Sequence, residues 1–351
     1  MPAPVPPTPA ASSRPDGASA PGVPVERAAS GAPTTDDGAR ADDGARAVDG
    51  GFADEGAPAH TLPWYRRFER RSILSLAKRL ASPRGRAFVR KVPAFELASR
   101  RFLARIETAR VTVCGAPFRL DVMRRSVSRS IYLGGRWHAD VVRMLRRHVK
   151  PGSVAADVGA NVGYMAVHMG EVAGPDGTVL AFEPEPRNFA VLAENTRHAR
   201  WRNVIPFAAA VGARSGAIDL WISPSDGGDH RTVATDGARA HIRVPVVSLD
   251  ELAAQRRTPI HFVKMDIQGA EGAALRGARE VLARPELRGL VLEFWPGALR
   301  EAGEDPEAVL ATIRAAGLRC VNHPDLDADP RTYLAGVGAD ASRDLLFLRP
   351  S

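Results

Sequence analysis

VAADVGANVGYMAVHMG, Val154 to Gly170, is the stretch from which the rest of this chain can be read. A short apolar run ends in Asp157, the chain turns through Gly159-Ala160-Asn161-Val162-Gly163, and a helix-like pattern follows. About 20 residues beyond Gly163 a second apolar run, Thr178 to Phe182, ends in Glu183 and Pro184. A strand ending in an acid, a glycine turn, a helix and a second strand ending in an acid make up a nucleoside-binding half-site. The glycines let the backbone approach a ligand closely, and the acid after the second strand can accept hydrogen bonds from both ribose hydroxyls.

The spacing also narrows the ligand. A dinucleotide site uses G-x-G-x-x-G, so that a pyrophosphate can lie against bare backbone at a helix N-terminus. Here the turn reads G-A-N-V-G, and no Gly-Lys-Ser or Gly-Lys-Thr of a P-loop occurs anywhere. A ligand carrying a ribose and an amino acid but no phosphate, S-adenosylmethionine, fits this turn better. Asp157, Gly159, Asn161, Gly163, Glu183 and Pro184 are therefore the expected cofactor-binding residues.

Working outward, strands and helices alternate. Val111–Val122 reads as strand, turn and strand, with Gly115-Ala116 near the turn, and Ala139–His148 reads as a helix ending before Pro151-Gly152. Strand Val154–Asp157, helix Val162–Val172, strand Val179–Phe182, helix Pro186–Arg200 and strand Val204–Ala208 follow. Two shorter strands, Ala217–Ile222 and Ile242–Val247, flank a polar loop, and Ser248 to Glu251 matches a capping box. Strand Phe262–Met265, a helix over Ala270–Ala283, strand Gly289–Leu292, helix Pro306–Ala316 and the strands Leu318–Val321 and Leu345–Leu348 complete the pattern. Alternation of this kind predicts an α/β fold with seven main strands, mostly parallel, covered by helices on both faces, the last two strands pairing like a hairpin.

In such sheets the ligand lies outside the carboxyl ends of the strands. Four of those ends carry acids: Asp157, Glu183, Asp266 and Glu293. In VKMDIQGAEGAALRGA, Val263 to Ala278, Asp266 ends the strand and Glu271 opens the next helix. Two carboxylates at one mouth could orient an acceptor hydroxyl, take its proton or hold a divalent cation. Asp266, Glu271 and His230 are the catalytic candidates, His230 because it lies in the Gly-flanked polar loop Ser225–Val233. Asp226, Asp229 and Asp266 could gather Mg²⁺, although nothing in their spacing compels a metal. Trp137-His138 and Trp295 are the aromatic features nearest this mouth, more in keeping with packing than with stacking on a substrate.

VAADVGANVGYMAVHMG, LAFEPEPRNFAVLAENTRHA, VPVVSLDEL, VKMDIQGAEGAALRGA and LVLEFWP, in this order, resemble the FkbM family of S-adenosylmethionine-dependent methyltransferases. The resemblance covers roughly Val111 to Leu348. It implies a class I methyltransferase (Rossmann-like) fold and, most often in that family, O-methylation of a sugar or other small-molecule hydroxyl. Asp157, Gly159 and Gly163 match its first motif and Glu183 its ribose-binding acid. The family's D-[VI]-E-G-x-E box reads D-I-Q-G-A-E here, with Gln268 where Glu is commoner, while Asp266 and Glu271 keep their places.

Charge divides the rest of the 351 residues. Residues 1–61 hold four Arg against nine acidic residues, a net of −5, and repeat DDGARA twice from Asp36 to Ala47. With few large apolar residues, this tail is expected to be disordered. Residues 62–110 carry fourteen Lys and Arg against three Glu, and read as a basic helical extension interrupted at Pro83 and Pro93. The catalytic domain is then expected over 111–351. Basic residues in 62–110 are mostly unaccompanied by aromatics, so a stacking platform for nucleic acid is not expected. A transferase acting on RNA or protein through this segment, and a non-catalytic S-adenosylmethionine-binding module, are the competing readings. Cys114 and Cys320 form no metal or disulfide pattern, no apolar run approaches the ~18 residues a membrane span needs, and no signal-peptide pattern is read, so a cytoplasmic setting is the default.

Overall fold

A computed structural model describes residues 108–122, 127–223, 227–232, 240–338 and 341–350 of the chain. The expectations for residues 1–61 and nearly all of 62–110 lie outside them. The domain enters through a hairpin, β1 (Thr108–Val113) and β2 (Ala116–Asp121), turning at Cys114-Gly115 where both residues have positive φ. Helices α1 (Val127–Gly134) and α2 (Ala139–His148) follow. The central alternation is β3 (Val154–Val158), α3 (Tyr164–Ala173), β4 (Thr178–Phe182), α4 (Pro186–His198) and β5 (Val204–Phe207). After the short β6 (Ala210–Val211) come β7 (Gly216–Trp221), β8 (His241–Val247) and α5 (Leu249–Arg256). The chain then runs through β9 (Phe262–Met265), α6 (Glu271–Arg276), α7 (Arg279–Ala283) and β10 (Gly289–Phe294). It ends with α8 (Pro296–Glu301), α9 (Pro306–Ala315), β11 (Arg319–Cys320), α10 (Pro324–Ala328), α11 (Pro330–Gly336) and β12 (Arg343–Leu348).

Seven strands form one sheet in the order β11-β12-β10-β9-β3-β4-β5, as the alternation predicts. Neighbours from β10 to β5 run parallel, and β12 lies antiparallel to both β10 and β11. This is the class I methyltransferase architecture. Parallel strands covered on both faces read as continuous apolar runs, and side-chain alternation sorts them. Ala155, Val179, Ala181, Phe262 and Val291 join one buried cluster with α1 to α4, while Ala156, Val158, Leu180, Val263, Met265 and Leu292 join the other with α5 to α9.

Two differences from the sequence reading have local causes. The helix expected over Ala270–Ala283 is broken into α6 and α7 at Gly277. The Gly277 carbonyl accepts from Ser248 Oγ (2.9 Å) and from the Asp250 amide (2.9 Å), and a Cβ at this position would strike the Gly212 carbonyl. The helix after the glycine turn starts at Tyr164, not Val162, because Asn161 and Gly163 both hold left-handed backbone, φ 51 and φ 89. Ser248 caps α5 as its motif predicts, its hydroxyl accepting from the Glu251 amide at 3.4 Å. Helices α1, α8, α10 and α11 were not anticipated; each is eight residues or shorter, less than the periodicity of a sequence can establish.

Candidate active site

Across the carboxyl ends of β3, β4, β9 and β10 opens a cavity of about 560 Å³, within the ~300–1,000 Å³ usual for small-molecule sites. The expected residues Gly159, Asn161, Glu183, Pro184, His230 and Asp266 line it. Asp157, Gly163 and Glu271 do not appear in its wall.

The glycine turn is built for packing. At Gly159 (φ 78) a Cβ would run into the Asp266 carbonyl, and at Gly163 it would come within 2.8 Å of Leu192 Cδ1. These contacts press the turn onto the end of β9 and onto α4. Every amide of the turn is already used. Gly159 and Ala160 donate to the Phe182 carbonyl (3.1 and 2.9 Å) and Gly163 to the Ala160 carbonyl (2.8 Å). The Asn161 amide reaches Glu183 Oε2 (2.9 Å) and Val162 the Asn161 side-chain oxygen (2.9 Å). No open nest of N–H groups is left for a pyrophosphate, which agrees with a phosphate-free ligand.

Glu183 is only 5% exposed, and burial pushes its carboxyl up to about 7. Oε1 accepts from the Glu185 amide and Oε2 from the Asn161 amide, both at 2.9 Å. Each oxygen retains a second lone pair, which a ribose hydroxyl can use. With the carboxyl groups of Asp229, Asp266 and Glu293 also in the wall and Asp266 ionised, the oxygens present suit a ligand that carries ribose hydroxyls and positive charge. S-adenosylmethionine fits them.

Beneath the floor runs an ion pair that the sequence reading missed. Lys264, in the middle of β9, is the register partner of Asp157 on β3. Its Nζ donates to the Gly159 carbonyl (3.0 Å) and lies 3.3 Å from Asp157 Oδ1 and 3.7 Å from Asp266 Oδ2. Burial opposes the ammonium, but Asp157 and Asp266 outweigh it and hold its pKa above the usual lysine value. Asp157 is fully buried, so its place is under the site and not in its wall. A lysine inside an otherwise apolar strand was the available signal, since such a charge must find a partner.

At the ends of β9 and β10, Gln268 Nε2 bridges Asp266 Oδ1 (2.8 Å) and Glu293 Oε2 (2.7 Å). Burial alone would raise Asp266, but Lys264 and the hydrogen bonds from Glu293 and Gln268 hold it below the ordinary carboxylate range. Burial, and then the charge of Asp266, push Glu293 well up, so that Glu293 keeps its proton. Glu271 turns away from the cavity: Oε1 accepts from the Ile267 amide (3.0 Å) and Oε2 from the Gly269 amide (2.9 Å), holding the loop after β9. Burial raises Glu271 to about 7.

His230 does line the cavity, with Nδ1 accepting from the Ser223 amide at 3.1 Å. Asp229 and Glu301 both pair with Arg231, whose guanidinium lies 5.2 Å from the Trp295 ring centroid. The proposed Mg²⁺ trio is not assembled among the described residues: Asp229 is taken by Arg231, Asp266 by Gln268 and Lys264, and Asp226 lies outside them. Among the described residues no group of three or more His, Cys, Asp or Glu could hold a metal. Both Trp137 and His138 border the cavity, their rings stacked with centroids 4.3 Å apart. The loop carrying His230 is tied to the cofactor side, because Asn161 Nδ2 and Asn188 Nδ2 each donate to the Gly227 carbonyl at 2.8 Å. No helix among the described residues is long and apolar enough to cross a membrane.

Residues 157–320 match the family model described as the methyltransferase FkbM domain. The hexuronic acid methyltransferase AglP of Haloferax volcanii is 30% identical over 184 residues, spanning 52% of this chain and 70% of the relative. The 2-O-methyltransferase NoeI of Sinorhizobium fredii is 28% identical over 166 residues, 42% of this chain and 65% of the relative. Among solved structures, fibrillarin of Aeropyrum pernix in complex with natively bound S-adenosyl-L-methionine is 15% identical, with a TM-score of 0.35 over 69% of this chain and 94% of that one. That likeness is too slight to carry weight.

Proposed function

Because this chain belongs to the FkbM family of methyltransferases, we propose that its cavity transfers a methyl group from S-adenosylmethionine to a hydroxyl of a sugar-like small molecule. The observation that carries the reading is Glu183, buried at the end of β4 with both oxygens oriented by backbone amides. AglP is named for a hexuronic acid and NoeI for a 2-O position, so sugars are the first acceptors to consider. Between those chemistries the wall favours a neutral hydroxyl. Asp266 is an ionised carboxylate of that wall, and Arg231, a cation that also lines it, is already paired with Asp229 and Glu301. A uronate carboxylate would meet the like charge of Asp266 there.

S-adenosylmethionine supplies a methyl on a sulfonium, ready for in-line displacement. The chain must hold the acceptor oxygen about 3 Å from that carbon and exclude water. In this reading Glu183 holds the ribose hydroxyls, and the Asp266–Gln268–Glu293 bridge fixes the polar edge of the acceptor. Trp137 and Trp295 offer flat apolar faces to a sugar ring, and Arg231 beneath Trp295 holds that indole in place.

The test has two steps. Titration calorimetry with S-adenosylmethionine establishes whether the folded chain binds it, and absence of binding would remove the reading. Label transfer from methyl-labelled S-adenosylmethionine to methyl glycosides of a neutral hexose, an N-acetylhexosamine and a hexuronic acid then ranks the acceptors by mass spectrometry. Transfer to the neutral glycosides is expected. Transfer confined to the uronate carboxylate would refute the hydroxyl assignment.

A further inference from the structure

The cavity wall holds more titratable groups than the reaction requires, and their hydrogen bonds sort them. A hydroxyl acceptor needs a group that can take its proton. Asp266 is held deprotonated by Lys264 and Gln268, which makes it a weak base. Glu293 keeps its proton and can only donate or accept a hydrogen bond. In His230 the Nδ1 atom accepts the Ser223 amide, so the neutral ring carries its proton on Nε2 and leaves no lone pair there. Glu271 is outside the wall.

His138 has the opposite arrangement. It stands at the N-cap of α2 in left-handed backbone, φ 38 and ψ 60, a conformation that costs a non-glycine residue on the order of 1–3 kcal/mol and clusters at functional sites. Its Nδ1 faces Asp344 Oδ2 at 3.5 Å. Asp344 is placed by β12, where it is the register partner of Glu293 on β10. His138, Asp266 and Glu293 all border the second, smaller recess that continues the cavity, and Asp344 and Lys264 close it. A carboxylate facing Nδ1 keeps the proton there and leaves Nε2 as the lone pair.

Resting on the methyl-transfer reading, we propose that His138 is the general base of this site and that Asp344 is the positioning residue that fixes its tautomer. The acceptor hydroxyl gives its proton to His138 Nε2 while its oxygen forms the new bond to the methyl carbon. The carbon–sulfur bond breaks with its electron pair on sulfur, leaving a neutral thioether, and His138 then releases the proton to water. His230, in the other tautomer, has no bare Nε2 with which to take that proton.

The tautomers can be read without any substrate. The full chain carrying ¹⁵N-labelled histidine is examined by NMR at pH 8.5, with His138→Gln and His230→Gln supplying the assignments. The expected result is a protonated Nδ1 and bare Nε2 for His138, the reverse for His230, and loss of the His138 preference in Asp344→Asn. A His138 proton on Nε2, or a preference that survives Asp344→Asn, overturns the pairing. In the label-transfer assay, with whichever glycoside takes methyl, His138→Gln should lower kcat at least ~100-fold, the lower range of general-base effects. Its dissociation constant for S-adenosylmethionine should stay within ~twofold, a difference of under half a kcal/mol. An unchanged kcat overturns the base assignment. Failure of the wild type to bind S-adenosylmethionine would instead remove the methyl-transfer reading, whatever the tautomers prove to be.

Discussion

Replacing Lys264 with Met should unfold this domain more readily than any loss of its surface charges. The lysine side chain is 7% exposed and its ammonium holds Asp157, Asp266 and the Gly159 carbonyl. At 3.3 Å from Asp157, Coulomb attraction at an effective dielectric near 20 is on the order of 5 kcal/mol, most of it set against desolvation. The net worth of the pair is therefore small, but Lys264→Met leaves Asp157, which is fully buried, with no opposite charge beside it. Breaking one side of a buried pair costs about 3–5 kcal/mol, a large part of the ~5–15 kcal/mol by which domains are stable. Adding Asp157→Asn should recover at least half of the loss, because the stranded charge is then gone. Urea denaturation of wild type, both single variants and the double variant gives the cycle directly. A loss under ~1 kcal/mol for Lys264→Met, or simple additivity in the double variant, would refute the reasoning. The same cycle separates two roles for Asp157. In calorimetry, Asp157→Asn should change S-adenosylmethionine affinity less than Glu183→Gln does, since Asp157 does not line the cavity.

Glu183→Gln should weaken S-adenosylmethionine binding at least ~tenfold, in line with about 1.5–3 kcal/mol for a hydrogen bond to a charged group. Wild-type affinity should also fall as pH is lowered through about 7, where the carboxyl takes up its proton, and calorimetry on the variant should show a flatter profile. Burial raises the Glu271 carboxyl from its ordinary 4.5 to about 7 in the folded chain, so its contribution to stability is complete below the unfolded value and lost as pH rises through the folded one. The stability of wild type relative to Glu271→Gln should therefore drop by about 3 kcal/mol between pH 4.5 and 8, and a flat difference in urea melts would contradict this. Gly159→Ala places a Cβ against the Asp266 carbonyl at φ 78 and should cost at least ~2 kcal/mol in thermal melts.

The sheet was legible because buried parallel strands are apolar without interruption and end in acids at the ligand face. Strand Phe262–Met265 and helix Ala139–His148 fall where their patterns place them. The glycines were legible as a turn, while their purpose was not. Sequence suggests room for a ligand, whereas Gly159 and Gly163 make room for Asp266 and Leu192. The cavity residues Gly159, Asn161 and Glu183 were readable because Glu183 and the turn are separated by one helix. The smaller recess brings together His138, Asp266, Glu293 and Asp344 from positions more than 200 residues apart at the extremes, and no local spacing records such an encounter. Glu271 misled for the same reason: an acid opening a helix looks alike whether it faces the cavity or its own loop.

The Gly227 carbonyl receives both the Asn161 and the Asn188 amides. A fastening with two independent pins tolerates the loss of either one. As far as this attachment goes, either amide could be lost singly with the loop still held, and losing both would then cost more than the sum of the single losses. The loop carrying His230 can thus change its other residues without losing its attachment to the glycine turn.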